Sequence, residues 1–157
     1  MIYEDVYEFS NELQPSNSLI GLDLGTKTIG VAVSDTILSV ATPIKTIKRK
    51  KFSLDTDNLL GIISTKNCCG VIIGLPKNMD GSEGPRAQST RAFARNFSEK
   101  TELPITFWDE RLSTVAAENA LLEADTTRKR RAEVIDHVAA AYILQGFLDR
   151  LKVLGNF

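Results

Sequence analysis

The chain has 157 residues, of which 43% are hydrophobic and 25% are charged, and its formal net charge is −1. This length suits one domain with a sizeable core, and the composition is that of an ordinary globular protein. No run approaches the roughly 18 consecutive apolar residues of a membrane span, and the acidic N-terminal segment lacks the pattern of a secretory signal peptide. We therefore expect a cytoplasmic protein in which the adjacent Cys68 and Cys69 stay reduced and bind no zinc.

The charge is unevenly distributed along the chain. Residues 1–17 contain four acids and no lysine or arginine, which leaves 19 basic and 16 acidic residues, a net charge of +3, in residues 18–157. Residues 1–17 also lack a regular hydrophobic period, so we expect a flexible N-terminal arm followed by one domain. Basic runs at Lys48–Lys51 and Arg128–Arg131 are typical of solvated loops, but two of them in one small domain favour a polyanionic partner.

The first predicted element of the domain is a β-hairpin. Two apolar, β-branched runs, Ser18–Leu24 and Thr28–Ser34, lie on either side of Gly25-Thr26-Lys27. Turn residues between such runs predict two antiparallel strands. Leu38–Ile47 is predicted as a third strand, in which Pro43 indicates an edge position or an irregularity.

Strands and helices alternate in the second half of the chain. The predicted elements are, in order, a helix capped by Ser53, a buried strand at Val71–Leu75, a helix starting at Gly84-Pro85, a strand at Pro104–Trp108, a helix capped by Ser113 or Thr114, and a long helix from Ala132 to about Leu151. Strand–helix–strand connections imply parallel strands, whereas the opening hairpin implies antiparallel ones. The predicted fold class is therefore α/β, with a mixed sheet whose first three strands are antiparallel and with helices on both faces.

Three acidic residues occupy positions where an ionised side chain is costly. Asp23 lies near the end of the first hairpin strand, Glu110 directly follows the strand Pro104–Trp108, and Asp136 is followed on its helical face by small and apolar residues. A buried carboxylate is expensive unless a cation or a hydrogen-bond donor meets it. Convergence of all three acids on a divalent cation would remove this cost, and carboxylate oxygens are the ligands that Mg²⁺ and Mn²⁺ prefer.

Each acid also has a purely structural explanation. Asp23 could cap the turn at Gly25–Lys27 through an Asx hydrogen bond. Glu110 could be a surface residue near the N-terminus of the next helix, and Asp136 could form a buried ion pair with the run Arg128–Arg131. These alternatives stay open for each residue taken singly, whereas the joint occurrence of the three acids favours a metal site.

The motif Gly21–Lys27 followed by Ile29–Asp35 resembles the opening motif of one RNase H-like family. This family comprises the pre-16S rRNA nucleases, also described as Holliday-junction-resolvase-like proteins. Later stretches are similar to it in order and spacing, namely Gly74-Leu75-Pro76 with Asp80-Gly81, Asp109–Thr114, and Asp136 with Ala139-Ala140. The resemblance covers about residues 18–150, and it departs from the family at Thr28, where many relatives carry Arg, and at His137, where Lys is often seen.

The resemblance implies a five-stranded RNase H-like sheet and a metal-dependent nuclease. It implies that Asp23, Glu110 and Asp136 are the catalytic carboxylates and the ligands of Mg²⁺ or Mn²⁺. Two divalent ions held by shared carboxylates are suited to phosphodiester hydrolysis. The function implied is 5′-end maturation of precursor 16S rRNA in association with ribosomal particles. The sequence identifies no dimer surface.

Basic residues in or beside loops at the predicted strand ends are candidates for contacts with a nucleic-acid backbone: Lys27, Lys77, Arg86 and Arg111. Three other functions fit parts of the pattern. A Holliday-junction resolvase would use the same acids on branched DNA, and a non-catalytic nucleic-acid-binding module of the same fold would not need them. A phosphotransferase similar to actin-like ATPases would share Asp23–Thr26, but it would need a second such domain, for which the chain is too short.

Overall fold

The computed structural model describes residues 1–112 and 128–155 of the chain, with side chains for residues 1–111 and 138–155. The elements within these residues are β1 (Ile2–Tyr3), α1 (Val6–Ser10), β2 (Ser18–Leu24), β3 (Thr28–Ser34), β4 (Ala41–Lys48), α2 (Phe52–Lys66), β5 (Cys68–Leu75), α3 (Pro85–Ser98), β6 (Ile105–Asp109), a 3₁₀ helix (Glu110–Leu112) and α4 (Arg128–Val153). The predicted helix capped by Ser113 or Thr114 lies outside the described residues.

The strands form one six-stranded sheet in the order β1-β6-β5-β2-β3-β4. β2, β3 and β4 pair antiparallel, whereas β5 pairs parallel with β2, and β6 pairs parallel with both β5 and β1. The predicted mixed α/β sheet, antiparallel in its first three strands and parallel in the remainder, is therefore confirmed. The described part of the sheet has one strand more than the five that were expected, and the additional strand is β1.

The N-terminal segment is docked on the domain, in contrast to the arm that the sequence predicts outside it. Ile2 pairs with Ile105 in β6, and the fully buried ring of Phe9 packs edge-to-face on Phe147 with 5.4 Å between ring centroids. The Glu4 carboxylate accepts a hydrogen bond of 2.6 Å from Arg91 of α3. These apolar residues show no regular period because they are divided between a two-residue strand and a five-residue helix.

The boundaries of several elements differ from the sequence prediction; β5, for example, begins at Cys68 rather than Val71. β4 begins at Ala41 rather than Leu38, because the Asp35 carboxylate accepts hydrogen bonds from the backbone N–H groups of Ser39 and Val40 and holds a turn there. Helix α2 begins two residues before a helix capped by Ser53 would. β4 is the edge strand, and Pro43 lies where its register with β3 shifts, as predicted.

Helices cover both faces of the sheet. Helices α2 and α3 pack on one face around Leu22, and α4 packs on the other around Ile143. Helix α4 approaches β2 closely at Gly21, where an added Cβ would lie 2.8 Å from the Leu144 Cβ. Glycine is therefore required for this contact, which fixes the distance between α4 and the centre of the sheet.

The two cysteines, Cys68 and Cys69, are buried free thiols at the start of β5, as expected from their adjacency. Burial raises the pKa of the Cys68 thiol to about 12. The thiol is therefore protonated at neutral pH and unreactive in the folded protein. Among the described helices, none is long and apolar enough to cross a membrane.

Candidate active site

Asp23 lies on the face of β2 that α4 covers, at the carboxyl end of the strand. Successive side chains of a strand alternate between faces, so Asp23 shares the face of Gly21, while Leu22 and Leu24 lie in the opposite core. Only 8% of the Asp23 surface is exposed. The position of this carboxylate follows directly from the hairpin register, since a shift by one residue would move it to the other face.

Glu110 lies at the same edge of the sheet, directly after β6, and is 9% exposed. The strand between β2 and β6 is β5, whose Gly74 pairs with Trp108. An added Cβ on Gly74 would lie 3.5 Å from a carboxylate oxygen of Glu110 and 2.5 Å from Ile143. The absence of a side chain at Gly74 therefore lets Ile143 and the Glu110 carboxylate approach the backbone of β5, on the α4 face that Asp23 also uses.

The backbones of β2 and β6 are about 10 Å apart, because two interstrand spacings separate them. Asp23 and Glu110 therefore lie on the same face of the sheet, at the ends of the two strands on either side of β5. Two buried carboxylates with oxygen donors suit a hard divalent cation such as Mg²⁺ or Mn²⁺. No group of three or more metal-ligating side chains occurs among the residues whose side chains the structure describes.

Asp136, the third predicted site residue, lies in α4, and its side chain is outside the described residues. The course of the helix is defined by its later residues. Phe147 contacts Phe9 near the start of β5, whereas Ile143 lies against Gly74 near the end of β5. Helix α4 therefore runs antiparallel to β5, and its N-terminal half, which contains Asp136, extends toward the carboxyl edge of the sheet.

The Arg111 side chain is fixed by hydrogen bonds to neighbouring residues of the protein. Its guanidinium donates to both carboxylate oxygens of Asp109 and to the backbone carbonyls of Asn78 and Met79, at 3.3 and 3.2 Å. These hydrogen bonds lower the pKa of Asp109 below its usual value, so the pair stays ionised at neutral pH. Arg111 thus ties the loop after β5 to the end of β6, beside Glu110.

The other predicted basic contacts lie around the hairpin turn and the N-terminus of α3. Lys27 is exposed in the turn, and Lys77 lines a cleft with Arg86. Arg86 also donates a long hydrogen bond, 3.4 Å, to the carbonyl of Leu24. The structure thus brings Arg86 next to the residue that follows Asp23.

One basic residue at this edge was not among the predicted site residues. The Arg49 guanidinium donates to the carbonyl of Gly25 at 2.6 Å and lies over the ring of Phe93. The sequence shows Arg49 only as part of a basic run before a helix. Its position depends on the pairing of Thr28 with Lys48, which returns the end of β4 to the hairpin turn.

A mixed sheet of this strand order with helices on both faces has the RNase H-like fold. The structure is similar to RuvC from T. thermophilus in complex with a Holliday junction substrate, with a TM-score of 0.55 and 14% identity over 87% of this chain and 96% of that chain. It is also similar to the yeast mitochondrial Holliday junction resolvase, with a TM-score of 0.52 and 12% identity over 97% of this chain and 86% of that one. At these identities the likeness shows the fold alone.

Residues 17–150 match the family described as RuvX: Holliday junction resolvase, and the chain belongs to this family. A protein of Ruegeria pomeroyi is 70% identical over 98% of this chain and 100% of its own length. A protein of Roseobacter denitrificans is 68% identical over 98% of this chain and 96% of its own length. Both relatives carry the name "Putative pre-16S rRNA nuclease".

Proposed function

We propose that this protein is a metal-dependent nuclease that hydrolyses phosphodiester bonds, with Asp23, Glu110 and Asp136 as its catalytic carboxylates. The observation that carries this proposal is the pair of buried carboxylates, Asp23 and Glu110, at the ends of two strands separated by Gly74. Buried carboxylates at a common edge and on a common face of the sheet are suited to holding a divalent cation. Asp136 is included because α4 extends toward the same edge.

The cofactor of the proposed reaction is Mg²⁺ or Mn²⁺. The three carboxylates would hold two such ions, which neutralise the phosphate charge and activate water when bound. The protein contributes the fixed positions of the acids, since Asp23 is set by the strand register and Glu110 by the 3₁₀ turn after β6. The ion pair of Arg111 with Asp109 supports that turn from the solvent side.

The proposed substrate is the precursor of 16S rRNA, cut during 5′-end maturation in the cytoplasm, with ribosomal particles as partners. The name of the relatives at 70% and 68% identity, which match this chain along nearly their whole length, supports this choice. Lys27, Lys77 and Arg86 would contact the nucleic-acid backbone, because cations near a strand steer it without reading its sequence. Arg111 would take part mainly by positioning the loop that contains Asn78.

The alternative substrate is a branched DNA junction, which the family description favours. A cleavage panel with single-stranded RNA, a precursor-rRNA leader and a four-way DNA junction distinguishes the two. We expect Mg²⁺- or Mn²⁺-dependent cleavage of the leader RNA by the wild type and none by Asp23→Asn. Asp57→Asn, which removes an exposed carboxylate from α2, is the matched control and should cleave normally.

Two results would contradict the proposal in different ways. Paired nicks in the junction without cleavage of either RNA would overturn the substrate and leave the active site intact. Binding of nucleic acid without metal-dependent cleavage of any substrate would overturn the nuclease itself and favour a non-catalytic binding module.

A further inference from the structure

A small basic cavity lies beside the hairpin turn, on the side of the sheet opposite to Asp23. Its walls include Leu24, Gly25 and Thr26 of the turn, Arg49 after β4, and Arg86 and Ser89 of α3. Its volume is about 50 Å³, which is room for about three or four water molecules. This is enough for a small anionic group and too little for a nucleobase.

Two guanidinium groups line this cavity. Arg49 donates one hydrogen bond to the Gly25 carbonyl, and Arg86 donates one to the Leu24 carbonyl. A guanidinium has five N–H donors, so most of the donors of each side chain are not used by these contacts. Neither side chain forms an ion pair with a carboxylate in the described part of the chain, whereas Arg91 and Arg111 do.

The surroundings hold Arg49 in place without neutralising it. The Arg49 guanidinium lies 5.8 Å from the centroid of the Phe93 ring, which restricts its rotation. The backbone N–H of Arg49 donates to the Lys27 carbonyl at 2.8 Å, which joins the end of β4 to the turn. Two positive charges at one cavity suit an anion with several acceptor oxygens.

The position of the cavity indicates which anion it serves. Leu24 and Gly25 are one and two residues after Asp23, so their Cα atoms lie within about 7 Å of that of Asp23 along the chain. Arg86 also lines the adjoining cleft with Lys77 and Asn78. The basic surface therefore continues from the cavity along the edge of the sheet, as expected for an elongated polyanion rather than for a single small ion.

We infer that Arg49 and Arg86 form a phosphate subsite for the substrate strand, which binds a phosphodiester next to the one positioned at Asp23. This inference rests on the proposed nuclease function and assigns a role to Arg49 in addition to that of Arg86. The subsite binds the backbone by charge and by guanidinium hydrogen bonds, so it fixes the register of the strand without selecting its sequence.

The test measures binding separately from cleavage. Affinity for a short, labelled single-stranded RNA is measured by fluorescence anisotropy in EDTA, between about 50 and 200 mM salt. We expect Arg86→Gln to weaken binding roughly three- to tenfold and to reduce the salt slope by about 0.7, the value for one phosphate contact on a single strand. Arg95→Gln removes the same charge from an exposed position about 13 Å further along α3 and should change neither quantity as much.

Arg49 needs a second variant, because its side chain also supports the turn. Arg49→Gln should resemble Arg86→Gln, and Arg49→Lys should restore the salt slope but only part of the affinity, since lysine keeps the charge and loses the planar fork. Melting temperatures of all variants separate loss of binding from loss of folding. Titration with AMP tests the nature of the ligand, and AMP should bind far more weakly than the RNA.

The inference is overturned if Arg49→Gln and Arg86→Gln, both folded, bind RNA with the affinity and salt slope of Arg95→Gln. It is also overturned if AMP binds as tightly as the RNA and loses its affinity in Arg86→Gln, because the cavity would then serve a free nucleotide. A wild type that binds RNA through these arginines but cleaves nothing would contradict the proposed nuclease and leave the phosphate subsite standing.

Discussion

Replacement of Gly21 by alanine tests how closely α4 is seated on the sheet. The added Cβ would lie 2.8 Å from the Leu144 Cβ and 3.2 Å from the Ala140 carbonyl oxygen. Neither atom can move by a side-chain rotation, so the helix itself must shift. Overpacking of this kind costs about 1–3 kcal/mol, and alanine recovers about 0.5–1 kcal/mol of backbone entropy in a strand. The two ranges together span a net loss of about 0–2.5 kcal/mol of unfolding free energy, and their middle values give the expected loss of about 1 kcal/mol.

Thermal unfolding followed by circular dichroism measures this loss. For a chain of this size, 1 kcal/mol corresponds to about 2–4 °C, so Gly21→Ala should lower Tm by about 2–4 °C. Gly61→Ala is the matched control, because Gly61 lies in α2 and an added Cβ meets no atom within 4 Å. That substitution should stabilise the protein by about 0.4–1 kcal/mol.

The Tm values of Gly21→Ala and Gly61→Ala together test whether α4 packs closely against β2 at Gly21. A Gly21→Ala protein with a Tm equal to or above that of the wild type would show that α4 is not packed against β2 at this distance. Loss of stability in both variants to the same extent would show that any glycine replacement is harmful and that the contact with Leu144 is not the cause.

Three further predictions concern the site, the Arg111 loop and the N-terminal segment. Mg²⁺ at a hundred times its Kd should stabilise the wild type by about 2.7 kcal/mol, raising Tm by about 5–11 °C, and should not shift Asp23→Asn. Arg111→Gln should raise the pKa of Asp109 toward its usual value in an NMR titration, because the hydrogen bonds that lower it are lost. Phe9→Ala should cost about 3–5 kcal/mol in denaturant unfolding, because the ring is fully buried.

Each of these has a control or a contradicting outcome. Equal Mg²⁺ shifts in Asp23→Asn and the wild type would place the cation elsewhere, and Asp57→Asn should respond as the wild type does. The lowered pKa of Asp109 stabilises the fold above about pH 3.9, the usual carboxyl value, and this contribution is lost as pH falls through the lowered pKa. The wild type should therefore be more stable than Arg111→Gln at neutral pH, and this difference in unfolding free energy should disappear in acid. A difference that does not change with pH would refute the coupling. Tyr7→Ala, at an exposed side chain, should change stability by less than about 0.5 kcal/mol.

The hairpin and the parallel strands could be predicted because their signals are local. Both hairpin strands, Ser18–Leu24 and Thr28–Ser34, have the predicted bounds, since alternation and turn residues specify them. β1 could not be predicted, because a two-residue strand has no period and pairs with Ile105, about a hundred positions away. The start of β4 was missed because a side chain, Asp35, holds the preceding turn.

In the candidate site, too, the features with local sequence signals could be predicted, and those that depend on contacts between distant elements could not. Asp23 and Glu110 could be expected at one edge because both lie at the carboxyl ends of strands, and parallel strands end at a common edge. The role of Gly74 and the position of Arg49 could not be expected. Both depend on contacts between elements, in one case Ile143 of α4 and in the other the register of β3 and β4.

The central claim of the proposed function is that Asp23, Glu110 and Asp136 hold a divalent cation at the carboxyl edge of the sheet. Crystals grown with Mn²⁺ and measured near the manganese absorption edge test it directly through the anomalous difference map. We expect a peak at this edge of the sheet with carboxylate oxygens of all three residues as ligands. Manganese bound elsewhere, or Asp136 directed away from the other two acids, would contradict the claim.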